Sequence, residues 1–417
     1  MTEKRVVITG MGAVTSIGKK INEFKESLFA GRCGITLLEG MDKFGEMAVK
    51  VGGQVKDFNP VELGMDAGSV RRSDRFSQFG ICAAMQAMEQ SGIKAAENVE
   101  PGRLGVYVGS GIGGMQTFID QTIVMKEEGA KRVSPLFIPM MIGNLGAGNI
   151  AIKFNACGPC LPVVSACATS THAIGEAFRA IKYGMADAII AGGTEAAVNP
   201  LAIGGFANMK ALSTAENPLE ACLPFDKRRG GFVMAEGAGI MILEEYEHAV
   251  KRGAHIIAEV AGYGNTCDAY HYTAPHPDGT TTAAALSLSL QEAGYQNDAL
   301  LYINAHGTGT HMNDACETKA IKIALGEEQA RKVMISSTKS MHGHMLGATG
   351  AVELIASAIA LEEGVLPPTI GYKEPDPECD LDYIPNTARR VQAEYALSCS
   401  LGFGGHNAAV TLKRYKD

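Results

Sequence analysis

A short apolar run rich in β-branched residues, residues 161–165, stops just before Cys167. Small and helix-compatible residues continue from Ala173 to Ile181, and Gly184 follows them. This pattern predicts a buried strand, a tight turn and a helix with Cys167 near its first turn. Unpaired backbone N–H groups and the helix dipole at such a position should lower the pKa of the thiol and favour a nucleophilic thiolate. The alternative is that Cys167 is a small buried side chain without chemistry, the usual fate of a free cysteine.

The pattern of strands and helices occurs twice along the chain. The matching segments are residues 5–12 and 255–264, residues 104–111 and 300–307, residues 163–171 and 333–340, and residues 231–232 and 402–403. The last two pairs share an offset of about 170 residues, which indicates an internal duplication. Strands that alternate with helical segments predict an α/β fold with mixed, mostly parallel sheets, in two fused halves that we place at residues 1–254 and 255–417. Equivalent loops of the two halves should face one crevice, where we expect an active site.

Composition and charge narrow the class of protein. The 417 residues carry a formal net charge of −8, which argues against a general nucleic-acid binder. The chain has no apolar run of about eighteen residues, and its first residues lead into a strand-like run and not into a signal-peptide core. The ten cysteines are scattered and do not resemble a disulfide framework. We therefore expect a cytoplasmic protein without a membrane segment.

Two familiar motifs occur in a context that does not fit them. Cys157-Gly158-Pro159-Cys160 has the spacing of a redox motif, but it precedes a strand, where the redox motif would follow one, so we interpret it as a turn. The segment 109–114 matches G-x-G-x-x-G after a strand, but a second strand ending in an acidic residue does not follow at the required distance. These glycines are better explained by a close approach of the backbone to a neighbour or a bound chain.

Three further segments are dense in reactive side chains, namely residues 304–314, 337–344 and 402–407. By the duplication, His306 and His344 should face the same crevice as Cys167. A cysteine nucleophile with neutral imidazole donors nearby suits acyl transfer through a thioester, and the glycine-rich loop at Phe403 would bring N–H groups to a developing oxyanion. Metal binding by His342, His344 and Cys167 is the rival interpretation, but a carboxylate or second cysteine at ligand spacing is lacking.

These segments carry a family resemblance. The chain is similar over essentially its whole length to the β-ketoacyl-acyl-carrier-protein synthases, and most to those of type II (dissociated) fatty acid synthesis. The motifs that carry the resemblance are Ser165-Ala166-Cys167-Ala168, Asn304-Ala305-His306-Gly307-Thr308, Lys339-Ser340 through Gly343-His344, and Gly402-Phe403-Gly404-Gly405. The resemblance implies the thiolase fold, with duplicated halves in five αβαβα layers, usually as a homodimer. It implies acyl-carrier protein, acyl- and malonyl-loaded, as the partner, with neither a cofactor nor a metal.

The resemblance also implies a reaction, a decarboxylative Claisen condensation. Cys167 would accept the acyl chain, and malonyl-carrier protein would then enter. His306 and His344 would donate hydrogen bonds to the malonyl thioester carbonyl and stabilise the enolate left by decarboxylation, a step that needs no strong base. The enolate would attack the acyl-cysteine and give a chain two carbons longer. Thiolase-like and initiating synthases place Asn at one of the two histidine positions.

Further roles follow from the resemblance for residues around this centre. The backbone N–H groups of Cys167 and Phe403 resemble the oxyanion hole of the family, and Lys339 with Glu353 matches its charged support. The remaining positions are Thr308 and Thr310 for the pantetheine arm, Ile112 and Phe137 for the acyl pocket, Phe403 for its gate, and Arg71, Arg72 and Lys210 for docking of the acidic carrier protein.

The chain departs from the family pattern at two positions of the last motif. Cys399 and Leu401 stand where Asn and Phe are expected, which leaves gate packing and chain-length preference open. A polyketide ketosynthase would use the same chemistry. A silent chain-length factor would lack the nucleophile, whereas Cys167 is present here. A thiolase would need a second catalytic cysteine near Phe403, and Cys399 lies four residues too early.

Overall fold

The structure is a computed structural model that describes residues 3–41, 45 and 47–416. The strands are β1 (Val6–Val14), β2 (Thr36–Leu37), β3 (Val51–Gly52), β4 (Leu104–Gly109), β5 (Ala188–Glu195), β6 (Gly237–Glu245), β7 (Ala258–Cys267), β8 (Leu301–Asn304), β9 (Met334–Ser336), β10 (Val365–Leu366), β11 (Arg389–Arg390), β12 (Tyr395–Gly402) and β13 (His406–Arg414). The helices are α1 (Ile21–Phe29), α2 (Ala67–Arg71), α3 (Arg75–Ser91), α4 (Met115–Glu128), α5 (Phe137–Met141), α6 (Leu145–Phe154), α7 (Thr169–Lys182), α8 (Pro200–Asn208), α9 (Tyr246–Lys251), α10 (Thr280–Glu292), α11 (His311–Leu325), α12 (Glu327–Ala330), α13 (Lys339–His342) and α14 (Thr349–Glu363).

Nine strands form one mixed sheet in the order β4-β5-β6-β1-β7-β13-β12-β8-β9. The series β4-β5-β6-β1 corresponds to β8-β12-β13-β7, with the same strand directions in both halves, and β9 lies outside β8 at the second end of the sheet. The halves join where β1 pairs with β7. The duplication predicted from the sequence is thus confirmed by the topology.

The expectation of mostly parallel strands is wrong. The pairs β4–β5, β12–β8 and β8–β9 are parallel, whereas the other neighbours in the large sheet are antiparallel. The reason is visible at Gly402–His406, where a tight turn joins β12 to β13 as a hairpin. A hairpin gives antiparallel neighbours, whereas a parallel pair needs a crossover segment.

Five layers of helices and strands build the core. Helices α7 and α14 contact each other between the two halves of the sheet, while α3 covers β1 and β6 and α10 covers β7 and β13 from outside. Residues 349–361 of α14 are all buried, as expected for a central helix. A Cβ at Gly350 would lie 2.0 Å from Thr171 Oγ1, so glycine is needed where α14 crosses α7. The five-layer αβαβα fold is confirmed.

The buried strand predicted at residues 161–165 is not formed in this single chain. Leu161 donates its N–H to the carbonyl oxygen of Val106 in β4, an end strand of the sheet, at 3.0 Å, but among the described residues no strand pairs with the far side of this segment. Leu161 and Val164 are 51% and 64% exposed. Both parts of the prediction therefore fail in the single chain: the segment forms only an isolated bridge to β4 through Cys160, and its apolar side chains are exposed. Among the residues that the structure describes, it contains no helix with the length and hydropathy needed to cross a membrane.

Candidate active site

A cavity of about 360 Å³ opens at the ends of strands from both halves of the sheet. Cys167, His306, His344 and Phe403 all line it. His306 lies two residues beyond β8, His344 two residues beyond α13, and Phe403 in the turn after β12. Residues far apart in the sequence are therefore brought to one place, as the duplication led us to expect.

Cys167 lies in a strained turn at the start of α7. The turn is a 3₁₀ segment, Ala166–Ala168, and Ala166 adopts a positive φ of 50° that non-glycine residues rarely adopt. Thr169 Oγ1 accepts the N–H of Ser165 at 2.8 Å, and the Ser165 hydroxyl is hydrogen-bonded to His172 Nδ1 at 2.6 Å. These bonds hold the turn so that the sulfur of Cys167 faces the cavity.

The predicted lowering of the Cys167 pKa is wrong. Burial raises the pKa of this thiol to about 12. Lys339 and the backbone N–H groups of Phe403 and of Cys167 itself act in the opposite direction, but they do not outweigh the loss of water around the sulfur. The same two N–H groups face the sulfur, so they also face the position that an oxyanion of a Cys167 thioester would occupy.

Buried charges hold both backbone polar groups of His306. Glu317, on α11, accepts the N–H of His306 at 2.6 Å and that of Gly307 at 2.7 Å. On the other side, Lys339 Nζ donates to the carbonyl oxygen of His306 and lies 2.5 Å from Glu353 Oε1. Lys339, Glu353 and Glu317 are all fully buried. The position of the His306 ring is thus fixed by this charged network.

Lys339 also determines the tautomer of His306. Its ammonium lies 3.4 Å from His306 Nδ1 and can only donate, so Nδ1 accepts and the ring proton resides on Nε2. Burial, Lys339 and His344 lower the pKa of His306 well below its usual value, and the ring is neutral. Burial raises the pKa of Glu353 to about 7, against the effect of Lys339.

His344 has a similar environment. Burial and Lys339 lower its pKa well below the usual value, and its Nδ1 lies 3.0 Å from the hydroxyl of Thr349, which can donate to it. The backbone of His344 is held by bonds to Val233 and Ala235. Its ring lies edge-on to that of His306, with centroids 5.4 Å apart. Two neutral imidazoles therefore present N–H groups to the same cavity.

Aromatic side chains continue from this pair to the cavity mouth. The Phe232 ring contacts that of His344 edge-on at 5.2 Å, and Phe206 lies between Phe232 and Phe403 at 5.6 and 6.1 Å. Leu401, where the family has Phe, lines the same cavity. The ring of Phe403 thus has an aromatic neighbour on α8, which the sequence did not indicate.

The other predicted residues divide into two groups. Thr308, Thr310 and the exposed Lys210 line the mouth of the cavity, and the two threonine hydroxyls are 3.0 Å apart. The second group lies outside this cavity and consists of Ile112 before α4, Phe137 on α5, and the exposed Arg71 and Arg72 at the end of α2. The roles assigned to this second group stay predictions.

Sequence reasoning missed two buried carboxylates near the site and the contact that Cys399 makes with one of them. Glu317 and Glu195 are fully buried carboxylates, and Cys399 donates its thiol to Glu317 Oε1 at 2.9 Å. Burial raises the pKa of Glu317, although the hydrogen bonds from its backbone and thiol donors act in the opposite direction. Glu317 lies eleven residues after His306 on a helix rich in polar residues, and the pattern does not distinguish it from an exposed glutamate. Over the described residues, we find no group of three or more His, Cys, Asp or Glu that could hold a metal ion.

Comparison with known proteins agrees with this geometry. The family profiles described as "Beta-ketoacyl synthase, N-terminal domain" and "Beta-ketoacyl synthase, C-terminal domain" match residues 3–249 and 257–373. The chain is 46% identical to the 3-oxoacyl-[acyl-carrier-protein] synthase 2 of Synechocystis sp. over 100% of this chain and 99% of the relative. It is also 46% identical to that of Staphylococcus aureus strain COL, over 99% of each chain.

Solved structures agree as well. One is a type II polyketide ketosynthase in complex with its acyl-carrier protein (TM-score 0.92, 35% identity, 99% of this chain and 100% of the other). Another is a β-ketoacyl synthase from Burkholderia phymatum (TM-score 0.92, 34% identity, 99% and 100%). A third is the ishigamide ketosynthase/chain length factor (TM-score 0.90, 32% identity, 99% and 100%). The resemblance inferred from the motifs is confirmed, and the chain belongs to the β-ketoacyl synthase family.

Proposed function

We propose that Cys167, His306 and His344 carry out the condensation of this acyltransferase, which joins an acyl chain to the two-carbon unit of malonyl-acyl-carrier protein in fatty acid elongation. The observation that supports these roles is their meeting in one cavity, with two neutral imidazoles beside a buried thiol. The relatives named 3-oxoacyl-[acyl-carrier-protein] synthase 2 favour this over the polyketide and silent-partner alternatives.

In the first half-reaction the sulfur of Cys167 attacks the thioester carbonyl of the acyl-carrier protein. The new C–S bond forms as the bond to the carrier sulfur breaks, and the proton of Cys167 ends on the departing carrier thiol. The N–H groups of Cys167 and Phe403 stabilise the oxyanion. Because the thiol is protonated at rest, loss of its proton and attack on the bound thioester are coupled.

In the second half-reaction the carboxylate of malonyl-carrier protein leaves as CO₂. The electron pair of the broken C–C bond forms an enolate, whose oxygen accepts hydrogen bonds from His306 and His344. The enolate carbon then attacks the carbonyl of the Cys167 thioester, and the collapse of the tetrahedral intermediate releases the Cys167 thiolate. Neutral donors suit this step, because decarboxylation supplies the carbanion without a base. Lys339 and Glu353 keep His306 in place and in the required tautomer.

The carrier protein would dock at the cavity mouth. Lys210 is exposed there, and Thr308 and Thr310 lie where the pantetheine arm would pass. Arg71 and Arg72 add positive charge on α2, and we assign them to the same acidic partner. A solved relative is a ketosynthase in complex with its acyl-carrier protein, which supports this assignment.

We also propose a homodimer formed through the outer edge of β4. Leu161 and Val164 lie in the segment next to β4, whose far side is not paired with any strand in the described part of the chain, and Ile152 on the neighbouring α6 is 79% exposed. An exposed apolar edge of this kind is usually covered by another chain. Ile112 and Phe137 would complete the acyl pocket in that assembly. A Val164→Glu variant should elute as a monomer in size-exclusion chromatography if this edge is the interface.

Two coarser assignments complete the proposal. All ten cysteines lie in the described part of the chain and are free thiols, as expected in a reducing compartment, so we assign the protein to the cytoplasm. We divide the chain at residues 254 and 255, between α9 and β7.

The test is intact mass spectrometry after incubation with a long-chain acyl-carrier protein, for wild type and Cys167→Ala, followed by addition of malonyl-carrier protein. A cysteine-dependent adduct that is discharged as a longer β-ketoacyl product is the expected result. A wild type that forms no adduct would instead fit a silent partner. An adduct that only hydrolyses would contradict the condensation step.

A further inference from the structure

Glu195, the last residue of β5, is fully buried close to Cys167. Its carboxylate accepts four hydrogen bonds. Oε1 accepts from the Ser110 hydroxyl at 2.9 Å and the Ile112 N–H at 3.2 Å, and Oε2 accepts from the N–H groups of Gly111 at 2.8 Å and Gly347 at 3.1 Å. These donors fill both oxygens, so the carboxylate joins the loop after β4 to the turn that precedes α14.

The approach of the backbone to this carboxylate is unusually close. A Cβ at Gly111 would lie 2.7 Å from Glu195 Oε2, and one at Gly347 would lie 2.8 Å from the same oxygen. Both positions therefore need glycine, because any larger residue would push its backbone away from the carboxylate. At Gly111, the glycine-rich segment 109–114 thus allows the close approach of the backbone to a neighbour that the sequence led us to expect.

Each segment held by Glu195 leads to an apolar side chain in or against the cluster that contains Cys167. Met115 directly follows the glycine loop, Leu346 directly precedes Gly347, and Ala197 lies two residues beyond Glu195. Ala197 and Leu346 belong to the buried apolar cluster that contains Cys167, and Met115 packs against that cluster. None of the three lines the cavity where Thr308 and Lys210 are found. They thus offer apolar contacts to an acyl chain that extends from the sulfur away from the mouth.

We propose that Glu195 is a positioning residue for the acyl chain, which fixes the wall formed by Met115, Ala197 and Leu346 and thereby sets how well long chains are accepted. The inference rests on the proposed acyl transfer to Cys167. A longer chain contacts more of this wall, so displacement of the wall affects long chains more than short ones.

Replacement by glutamine isolates the effect. Glu195→Gln has nearly the same shape, but its NH₂ group replaces one of the two acceptor oxygens. If the NH₂ group takes the place of Oε1, the N–H of Ile112 loses its acceptor in a buried place. If it takes the place of Oε2, the N–H groups of Gly111 and Gly347 lose theirs. The loop should then move away from its present position without loss of the Cys167 nucleophile.

The experiment measures the acylation rate of Cys167 by intact mass, with pantetheine thioesters of straight-chain acids from two to sixteen carbons. In Glu195→Gln we expect the rate for the longest chains to fall about tenfold or more, that for acetyl less than about threefold, and the rate of Cys167 alkylation by iodoacetamide to stay unchanged. A loss by the same factor at every length, or a rate equal to wild type at every length, would overturn the proposal.

Two further variants separate the possible causes. Glu244→Gln removes a buried carboxylate that binds Arg252 and Thr9 far along the sheet, and it should show no dependence on chain length. Ser110→Ala removes only the hydroxyl contact, so if Glu195→Gln fails to fold, this variant should show the same length dependence at about threefold. Wild type that resists acylation by every thioester would contradict the proposed function itself.

Discussion

The most informative perturbation of the catalytic centre is Glu317→Gln, because it loosens His306 without touching the imidazole. Glu317 Oε1 accepts the N–H of His306 and Oε2 that of Gly307. A glutamine keeps one acceptor and puts an NH₂ group against the other N–H. Since Glu317 is fully buried, water cannot replace the lost acceptor.

The magnitude follows from these contacts. A hydrogen bond to a charged group contributes about 1.5–3 kcal/mol, and a buried donor left without a partner costs about 1–3 kcal/mol. The lost hydrogen bond and the unpartnered donor are partly the same loss, so the two figures are not simply added. We therefore expect the free energy of unfolding to fall by about 2–4 kcal/mol. A shift of the His306 ring by about 1 Å should slow the condensation about a hundredfold.

The assay separates the two half-reactions. Acylation of Cys167 and decarboxylation of malonyl-carrier protein are measured individually, the first by intact mass and the second by release of CO₂. Only decarboxylation should slow strongly, because His306 acts on the malonyl thioester. An equal fall in the acylation and decarboxylation rates would refute the reasoning. A decarboxylation rate equal to that of wild type, in a variant that has lost the expected stability, would also refute it. Glu244→Gln serves as the matched loss of a buried carboxylate elsewhere.

Three further outcomes are expected. In a urea titration, Cys399→Val should lower the free energy of unfolding by about 1–3 kcal/mol. Cys399→Ser keeps a donor to Glu317 and should lower it less. Because the pKa values of His306 and His344 are lowered, neither ring gains a proton as the pH falls past 6.5. In Glu353→Gln, which removes the neighbouring carboxyl group whose pKa is about 7, the decarboxylation rate should therefore stay level from about pH 8 to 5.5, and a tenfold fall in that range would contradict neutral donors. Lys210→Glu should raise the KM for acyl-carrier protein severalfold but leave that for acyl-pantetheine near wild type, and equal changes would argue against docking at this position.

The sequence predicted those features that depend on local pattern. Glycine-ended strands revealed the duplication, and the duplication correctly brought His306 and His344 to the side of Cys167. The relative direction of neighbouring strands is harder to predict from the sequence, because a strand can have the same apolar pattern whether its neighbour is parallel or antiparallel. The hairpin at Gly402–His406 is an example, since its glycines were interpreted only as sources of N–H groups.

Electrostatic properties were the least predictable. A helix N-terminus led us to expect a low pKa for Cys167, but the pKa depends on the water that the folded chain removes, and burial raises it to about 12. Glu195 and Glu317 could not be found for the same reason. A glutamate in the sequence carries no sign of whether it will be exposed or buried against backbone N–H groups.

The two buried carboxylates solve the same structural problem in the two halves. Strands β4 and β8 occupy equivalent positions in the sheet, and the loop after each contains two successive N–H groups bonded to one carboxylate: Gly111 and Ile112 to Glu195, and His306 and Gly307 to Glu317. A side-chain donor, Ser110 or Cys399, completes each site.

The carboxylates nevertheless come from different elements, Glu195 from the end of a strand and Glu317 from a helix. Common descent of the two halves therefore does not explain why each half has such a carboxylate. A buried loop that turns sharply after a parallel strand leaves N–H groups without partners, and a carboxylate satisfies two of them while fixing the loop. One half uses the fixed loop to aim an imidazole, and the other uses it to hold an apolar wall. The shared device is thus the rigidity of the loop, and the side chain that follows it gives each half its separate part in the reaction.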